Sequence, residues 1–168
     1  MEIDHFRTEK RSNQVVVMTG GPRGIGFDIV KNCFRVRNIA ASENGILEIR
    51  HLGISSGRVK FLNLDLKSLR SVRKFANEVL ASTEGSRIDL LLNNAGIVSP
   101  SYEVTQDGYE SIFQVNYLSH FLLTNLLLPR MRDTAVKKNE SCHILNTSSD
   151  TNRGGRIDFT ELETGQNK

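Results

Sequence analysis

Apolar residues fall along this chain in short solid runs, separated by stretches where they recur every three or four positions. Val15-Val16-Val17-Met18 is one solid run, the pattern of a strand buried on both faces of a sheet. A glycine-rich turn, Gly20 to Gly26, follows it, and then Phe27, Val30 and Phe34 recur at helical spacing. The alternation repeats. Residues 58–64 read as a second buried strand ending at Asp65, and Leu69, Val72, Ala76 and Val79 mark a helix behind it. Ile88-Asp89-Leu90-Leu91-Leu92 is a third strand, closed by Asn93-Asn94-Ala95-Gly96. A long helix is predicted from about Tyr109 to Leu128, ending at Pro129, and residues 143–148 form a fourth strand. Strands alternating with helices predict an α/β layer fold on a parallel sheet.

The 168 residues suit a single domain. Residues 1–13 are a polar tail without the apolar centre of a signal peptide, and residues 152–168 are irregular and polar. The longest apolar-rich stretch, Phe121 to Leu128, is interrupted by Thr124 and Asn125 and is too short to span a bilayer. The formal net charge is only +3 and no basic run is long enough for a nucleic-acid arm, so nucleic acid is not an expected partner. Cys33 and Cys142 belong to no Cys-x-x-Cys pair and read as reduced packing residues. The four histidines lack metal-ligand spacing, so no metal site is expected.

Chemistry first shows in the turn Thr19-Gly20-Gly21-Pro22-Arg23-Gly24-Ile25-Gly26, between a buried strand and an amphipathic helix. Gly20 suits the tight exit from the strand, Gly24 a close approach of backbone to phosphate, and Gly26 close packing of helix on strand. The helix N-terminus would then offer free N–H groups and its positive dipole end to an anion. Three glycines alone equally suit an ordinary strand-to-helix turn. A Walker phosphate loop does not fit, because no Gly-Lys-Ser/Thr follows.

Later motifs in order change the weight of that turn. Thr19-Gly20-x-x-x-Gly24-Ile25-Gly26, Asp65-Leu66, Asn93-Asn94-Ala95-Gly96, Asn116 and Ser148-Ser149 together resemble the classical short-chain dehydrogenase/reductase pattern. The stretch Val115 to Thr124 is most similar to the retinol dehydrogenase and DHRS branch. The resemblance covers about residues 13 to 165 and implies a doubly wound, Rossmann-like sheet. It implies that Gly20, Gly24 and Gly26 meet the cofactor pyrophosphate, that Asp65 and Leu66 hold the adenine, that Asn93 and Ala95 lie near the ribose, and that Ile25 and Gly96 also belong to the cofactor site. Asn116 would hold a water in a proton relay and Ser149 would bond the substrate oxygen. Taken singly, Asp65 also reads as a helix cap, Asn93 and Asn94 as turn formers, Asn116 as a solvent-facing helix residue, and the serines as a strand end. Arg23 within the turn, and Arg37 beyond it, could pair with an adenosine 2′-phosphate, which favours NADP over NAD; both equally suit a solvated surface.

Two departures from the family pattern stand out. Only Arg35 and Val36 separate the helical position Phe34 from Arg37-Asn38, which resembles the close of the family's second strand, whereas a strand needs about five residues and a turn. That strand is expected to be shortened or missing, with a helix at Ile39 to Leu52 presenting Ile46, Ile49 and Leu52 inward despite Gly45. The family's proton donor belongs to a Tyr-x-x-x-Lys motif after the serine, yet Tyr102, Tyr109 and Tyr117 all precede Ser149. Residues 153–159 resemble the start of the longer serine-to-tyrosine gap of the retinol dehydrogenase branch, so the resemblance implies a C-terminally truncated member. The expected function is hydride transfer between NADP(H), with NAD as the second choice, and the alcohol or carbonyl of a small apolar substrate. The chain alone is expected to be inactive or very slow. The alternative is a non-catalytic dinucleotide-binding or interaction module. A homo-oligomer is compatible with either, and the expected location is cytoplasmic or, by resemblance, peripheral at the endoplasmic reticulum membrane.

Overall fold

The structure is a computed structural model that describes residues 14–21, 25, 26, 29, 62–82 and 86–154. Three strands, β1 (Val16–Met18), β2 (Leu90–Asn93) and β3 (His143–Asn146), form a parallel sheet in the order β1-β2-β3. Val17 lies opposite Leu91, and Leu91 opposite Ile144. Parallel neighbours need crossovers, and helices lie in both connections. This is an incomplete doubly wound sheet of Rossmann-type topology. The expected shortened second strand and the helix at Ile39 to Leu52 lie outside the described residues, as do Arg23, Gly24 and Arg37.

Helix α1 (Leu69–Ala81) follows its apolar period closely, burying Val72, Phe75, Ala76 and Val79. Ser68 caps it, its hydroxyl oxygen accepting from the Ser71 N–H at 3.3 Å, and the Asp107 carboxylate accepts from the Leu69 N–H at 2.7 Å. Because Asp107 also serves this helix end, Ser68→Ala is expected to cost only about 1 kcal/mol. Urea unfolding checks that; no change in midpoint would mean that Asp107 alone suffices.

The second helical region is longer than its sequence pattern implied. It begins as α2 (Ser111–Phe113), passes through a π-helical segment (Gln114–Leu118) and continues as α3 (Ser119–Lys138). Glu110 caps the start, accepting from the Ile112 and Phe113 N–H groups. The expected stop at Pro129 is overturned. A proline inside a helix costs about 3 kcal/mol, but Met131 and Thr134 beyond it are both buried. Thr134 also accepts the Ile88 N–H at 3.0 Å, which ties α3 to the entrance of β2. The helix ends instead at Asn139, left-handed at φ 52°, whose N–H bonds back to Val136.

The core lies between the sheet and these helices. Val17 and Leu91 from the sheet meet Val72, Phe75 and Val79 of α1 and Leu123, Leu127 and Met131 of α3. The strand expected over residues 58–64 is not seen at its described end: residues 62–64 join no strand, and Leu62 and Leu64 pack on the core's margin. β2 and β3 each run slightly off the expected limits, and β3 is exposed along its length.

Candidate functional site

Function in a sheet of this kind belongs at the carboxyl ends of the strands, and there β1 and β2 are stitched together by side chains. Thr19 leaves β1 with its N–H on the Leu92 carbonyl and its side chain only 1% exposed. Its hydroxyl oxygen accepts from the backbone N–H groups of both Asn94 and Ala95, each at 3.0 Å. The Asn94 amide donates to the carbonyls of Thr19 and Gly20, and its Oδ1 accepts from the Thr147 hydroxyl beyond β3. Asn93 is buried, its amide donating to Thr124 Oγ1 and Asn146 Oδ1, so its side chain joins β2 to β3 and to α3.

Gly20 and Gly26 are required by backbone contact. Gly20 has φ +69°, and a Cβ there would lie 2.8 Å from the Cα of Ala95. A Cβ on Gly26, already in the following helical turn, would lie 2.1 Å from the Gly20 carbonyl oxygen. The turn is therefore backbone packed on backbone, the surface a dinucleotide pyrophosphate needs for close approach. Ile25 beside it is 70% exposed. The described part of the turn fits a dinucleotide on this ground.

On the other side of the 94–97 loop stands Asn116. Its Oδ1 accepts the Ile97 N–H at 2.8 Å and its Nδ2 donates to the Ile97 carbonyl at 3.0 Å, a two-point clamp. Gly96 lies under it, a Cβ there falling 3.4 Å from Asn116 Oδ1. Asn116 is exposed, yet its amide does not simply face solvent. It sits in the π-helical segment, where the Ser119 N–H reaches back five residues to the Gln114 carbonyl. Such segments often mark functional sites because they displace backbone groups from the ordinary ladder. Fully buried Gln114 anchors this one by donating to the Leu66 carbonyl and to Asp107.

Asp65 and Leu66 reach the same helix from another side. The Leu66 carbonyl accepts from the Ser119 hydroxyl at 2.6 Å, its side chain joins the core, and exposed Asp65 accepts the Lys67 N–H at 2.9 Å. Ser149 is exposed just past the end of β3. The structure thus connects Gly20, Gly26, Asn94, Ala95, Gly96 and Asn116 in one cluster, while Asn93 is turned into a strand clip. Two members escaped the sequence reading. Thr19 was noted only as the first letter of a motif. In the sequence His120 counts only among histidines without metal-ligand spacing, though its place four residues after Asn116 puts both on one helical face. The His120 ring is buried, with Nε2 2.8 Å from the Thr19 hydroxyl and Nδ1 3.3 Å from the Asn116 carbonyl. Burial holds its pKa below the ordinary histidine value, against the opposing pull of the Asn116 carbonyl.

This geometry has counterparts among known proteins. The family described as short chain dehydrogenase matches residues 14–160, and the chain belongs to that family. It is 37% identical over 161 residues to polyprenol dehydrogenase of Danio rerio, covering 92% of this chain and 49% of that protein. It is 38% identical over 157 residues to retinol dehydrogenase 13 of Mus musculus, covering 89% of this chain and 45% of that protein. Among solved structures, the Pseudomonas aeruginosa RhlG/NADP active-site complex superposes with a TM-score of 0.63 at 29% identity, over 81% of this chain and 54% of that one. The chain spans about half the length of the relatives it matches. Among the described residues, no helix is long and apolar enough to cross a membrane.

Proposed function

We propose that this chain carries the dinucleotide-binding portion of a short-chain dehydrogenase/reductase that works on the alcohol or carbonyl of an apolar substrate. The single observation that carries this is the backbone-on-backbone turn at Gly20 and Gly26, locked to the Ala95 loop by Thr19 and faced by Asn116. The bound nicotinamide would supply the hydride donor or acceptor. The chain's own residues would do the rest: Gly20, Gly24, Ile25 and Gly26 bind the pyrophosphate, Asp65 and Leu66 the adenine, and Ala95 and Gly96 border the ribose. In the family pattern Asn93 also lies near the ribose; here its amide is committed to Thr124 and Asn146, which leaves its backbone for that part. Ser149 would donate to the substrate oxygen, and Asn116 would hold a water beside it.

NADP is the proposed cofactor over NAD, with Arg23 and Arg37 pairing with the 2′-phosphate. The names polyprenol dehydrogenase and retinol dehydrogenase support a long apolar alcohol or its carbonyl as the substrate class. A cytoplasmic or membrane-peripheral location fits that substrate. The 168 residues contain no tyrosine after Ser149, so they bring no Tyr-x-x-x-Lys pair. General acid–base catalysis contributes about two to four powers of ten, and this chain by itself should turn over slower than an intact relative by at least that much.

Titrating the 168-residue chain with NADPH and NADH by nucleotide fluorescence, then assaying retinal reduction, tests the proposal. Saturable binding, tighter for NADPH, with turnover at least about 100-fold below an intact retinol dehydrogenase is expected. Absence of saturation would sink the dinucleotide reading, a preference for NADH would reverse the cofactor choice, and turnover like that of intact relatives would overturn the need for the tyrosine.

A further inference from the structure

The Thr19 hydroxyl has two lone pairs and one proton. The N–H groups of Asn94 and Ala95 occupy both lone pairs. Its proton must therefore leave toward another acceptor, and His120 Nε2 lies 2.8 Å away. A ring nitrogen accepts only when it carries no proton, so the ring's hydrogen belongs on Nδ1, the nitrogen that faces the Asn116 carbonyl at 3.3 Å. Every donor then meets an acceptor along an unbroken chain from the Ala95 N–H to the Asn116 carbonyl. An imidazolium would set a second N–H against an oxygen with no lone pair left.

We infer that His120 is a positioning residue: uncharged and protonated on Nδ1, it ties the Thr19 hydroxyl to the Asn116 backbone carbonyl, so that the nucleotide turn and the π-helical segment keep one register. The inference rests on the dinucleotide reading above for its consequence, but not for its geometry. Three elements meet at this ring: the exit of β1 through Thr19, the 94–97 loop through Thr19's two bonds, and the π-helical segment through Asn116. The Asn116 amide clamps the same loop from its other side. The loop is thus held between two anchors, and His120 links those anchors to each other. Removing the ring leaves the buried Thr19 hydroxyl proton without an acceptor and loosens the loop that Gly20 packs against.

Two measurements on the full 168-residue chain decide it. In nitrogen-15 histidine spectra at neutral pH, His120 should show the Nδ1–H tautomer; an Nε2–H tautomer or an imidazolium would overturn the inference whether or not NADPH binds. In NADPH titrations, His120→Leu should weaken binding about tenfold, since it leaves a buried donor unpaired. His120→Gln, whose amide oxygen can stand where Nε2 stood, should return binding to within about threefold of the parent. If His120→Leu fails to fold, the glutamine variant and the tautomer carry the test. Unchanged affinity in His120→Leu, or a glutamine variant as weak as the leucine one, would overturn the positioning role. A parent chain that binds no NADPH would instead sink the dinucleotide reading and leave the tautomer to decide the geometry.

Discussion

Gly26→Ala is expected to destabilise the chain by about 3 kcal/mol and to abolish NADPH binding. The added Cβ would fall 2.1 Å from the Gly20 carbonyl oxygen and 2.7 Å from Asn94 Nδ2. A flexible side chain could swing aside, but here one neighbour is backbone and the other is tied down. Gly20 cannot retreat, because it is left-handed and pressed on Ala95, and Asn94 holds its carbonyl. Relief has to come from parting the helix from the turn, which destroys the surface proposed for the pyrophosphate. For a chain of this size, 3 kcal/mol is a fall of roughly 6–12 °C in Tm. Gly154→Ala is the control: a Cβ there meets nothing within 4 Å and its φ is unremarkable, so it should leave both Tm and affinity unchanged. Equal thermal melts for the two variants would show that the turn is not packed as described.

The parts of this fold that were legible in the sequence are those where burial alone decides the pattern of an element. Val16 to Met18 is apolar at every position because both faces of β1 are buried. Val72, Ala76 and Val79 mark α1 because only one of its faces meets the core. Pro129 misled because a local penalty was weighed without the burial of Met131 and Thr134 on its far side, which only tertiary packing reveals. At the described end of the strand expected over residues 58–64, Leu62 and Leu64 alternate with Asn63, a pattern that suits a core margin as well as a strand. At the site, Gly20 and Gly26 were legible since backbone contact enforces their positions. Asn93, expected near the ribose, turns its amide to Thr124 and Asn146, a contact hidden from the sequence because order along the chain places a residue near a crevice without saying which way it turns. His120 was illegible for the same reason: its partner Thr19 is 101 residues away.

The opposite end of the sheet carries the second large effect, and it is one of stability alone. Asp89, just before β2, is 3% exposed and gathers the Arg87 guanidinium, the Lys138 ammonium and the Val15 N–H. It thereby joins the entrances of β1 and β2 to the last turn of α3. Burial alone would raise its pKa, but hydrogen bonds from Arg87, Lys138 and Val15 outweigh burial and hold it below the ordinary carboxylate value. Lys138 is shifted up in return, chiefly by its hydrogen bond to Asp89. A carboxylate whose folded pKa is depressed stabilises above its unfolded value, about 4, and that contribution is lost as pH falls through the folded value. The raised Lys138 contributes below its unfolded value, about 10.4, and loses its share as pH climbs through the folded one.

Asp89→Ala leaves two cations and an N–H without their shared partner. Breaking a buried pair costs about 3–5 kcal/mol, and because Arg87 and Lys138 keep partial access to water, about 3 kcal/mol is expected. Asp89→Asn keeps an acceptor for Val15 and should lose about half of that. The loss should be present at pH 7 and shrink as the parent is acidified below pH 4, since the parent then surrenders the same interaction. Urea denaturation across pH 3 to 8 measures both. In folded samples the NADPH affinity of Asp89→Asn should match the parent, because Asp89 stands at the amino end of β2 and the crevice lies at its carboxyl end. Equal stability of parent and Asp89→Ala at pH 7 would remove Asp89 as the clasp of the sheet. A loss of affinity in folded Asp89→Asn would mean instead that the two ends of β2 are coupled through the strand itself.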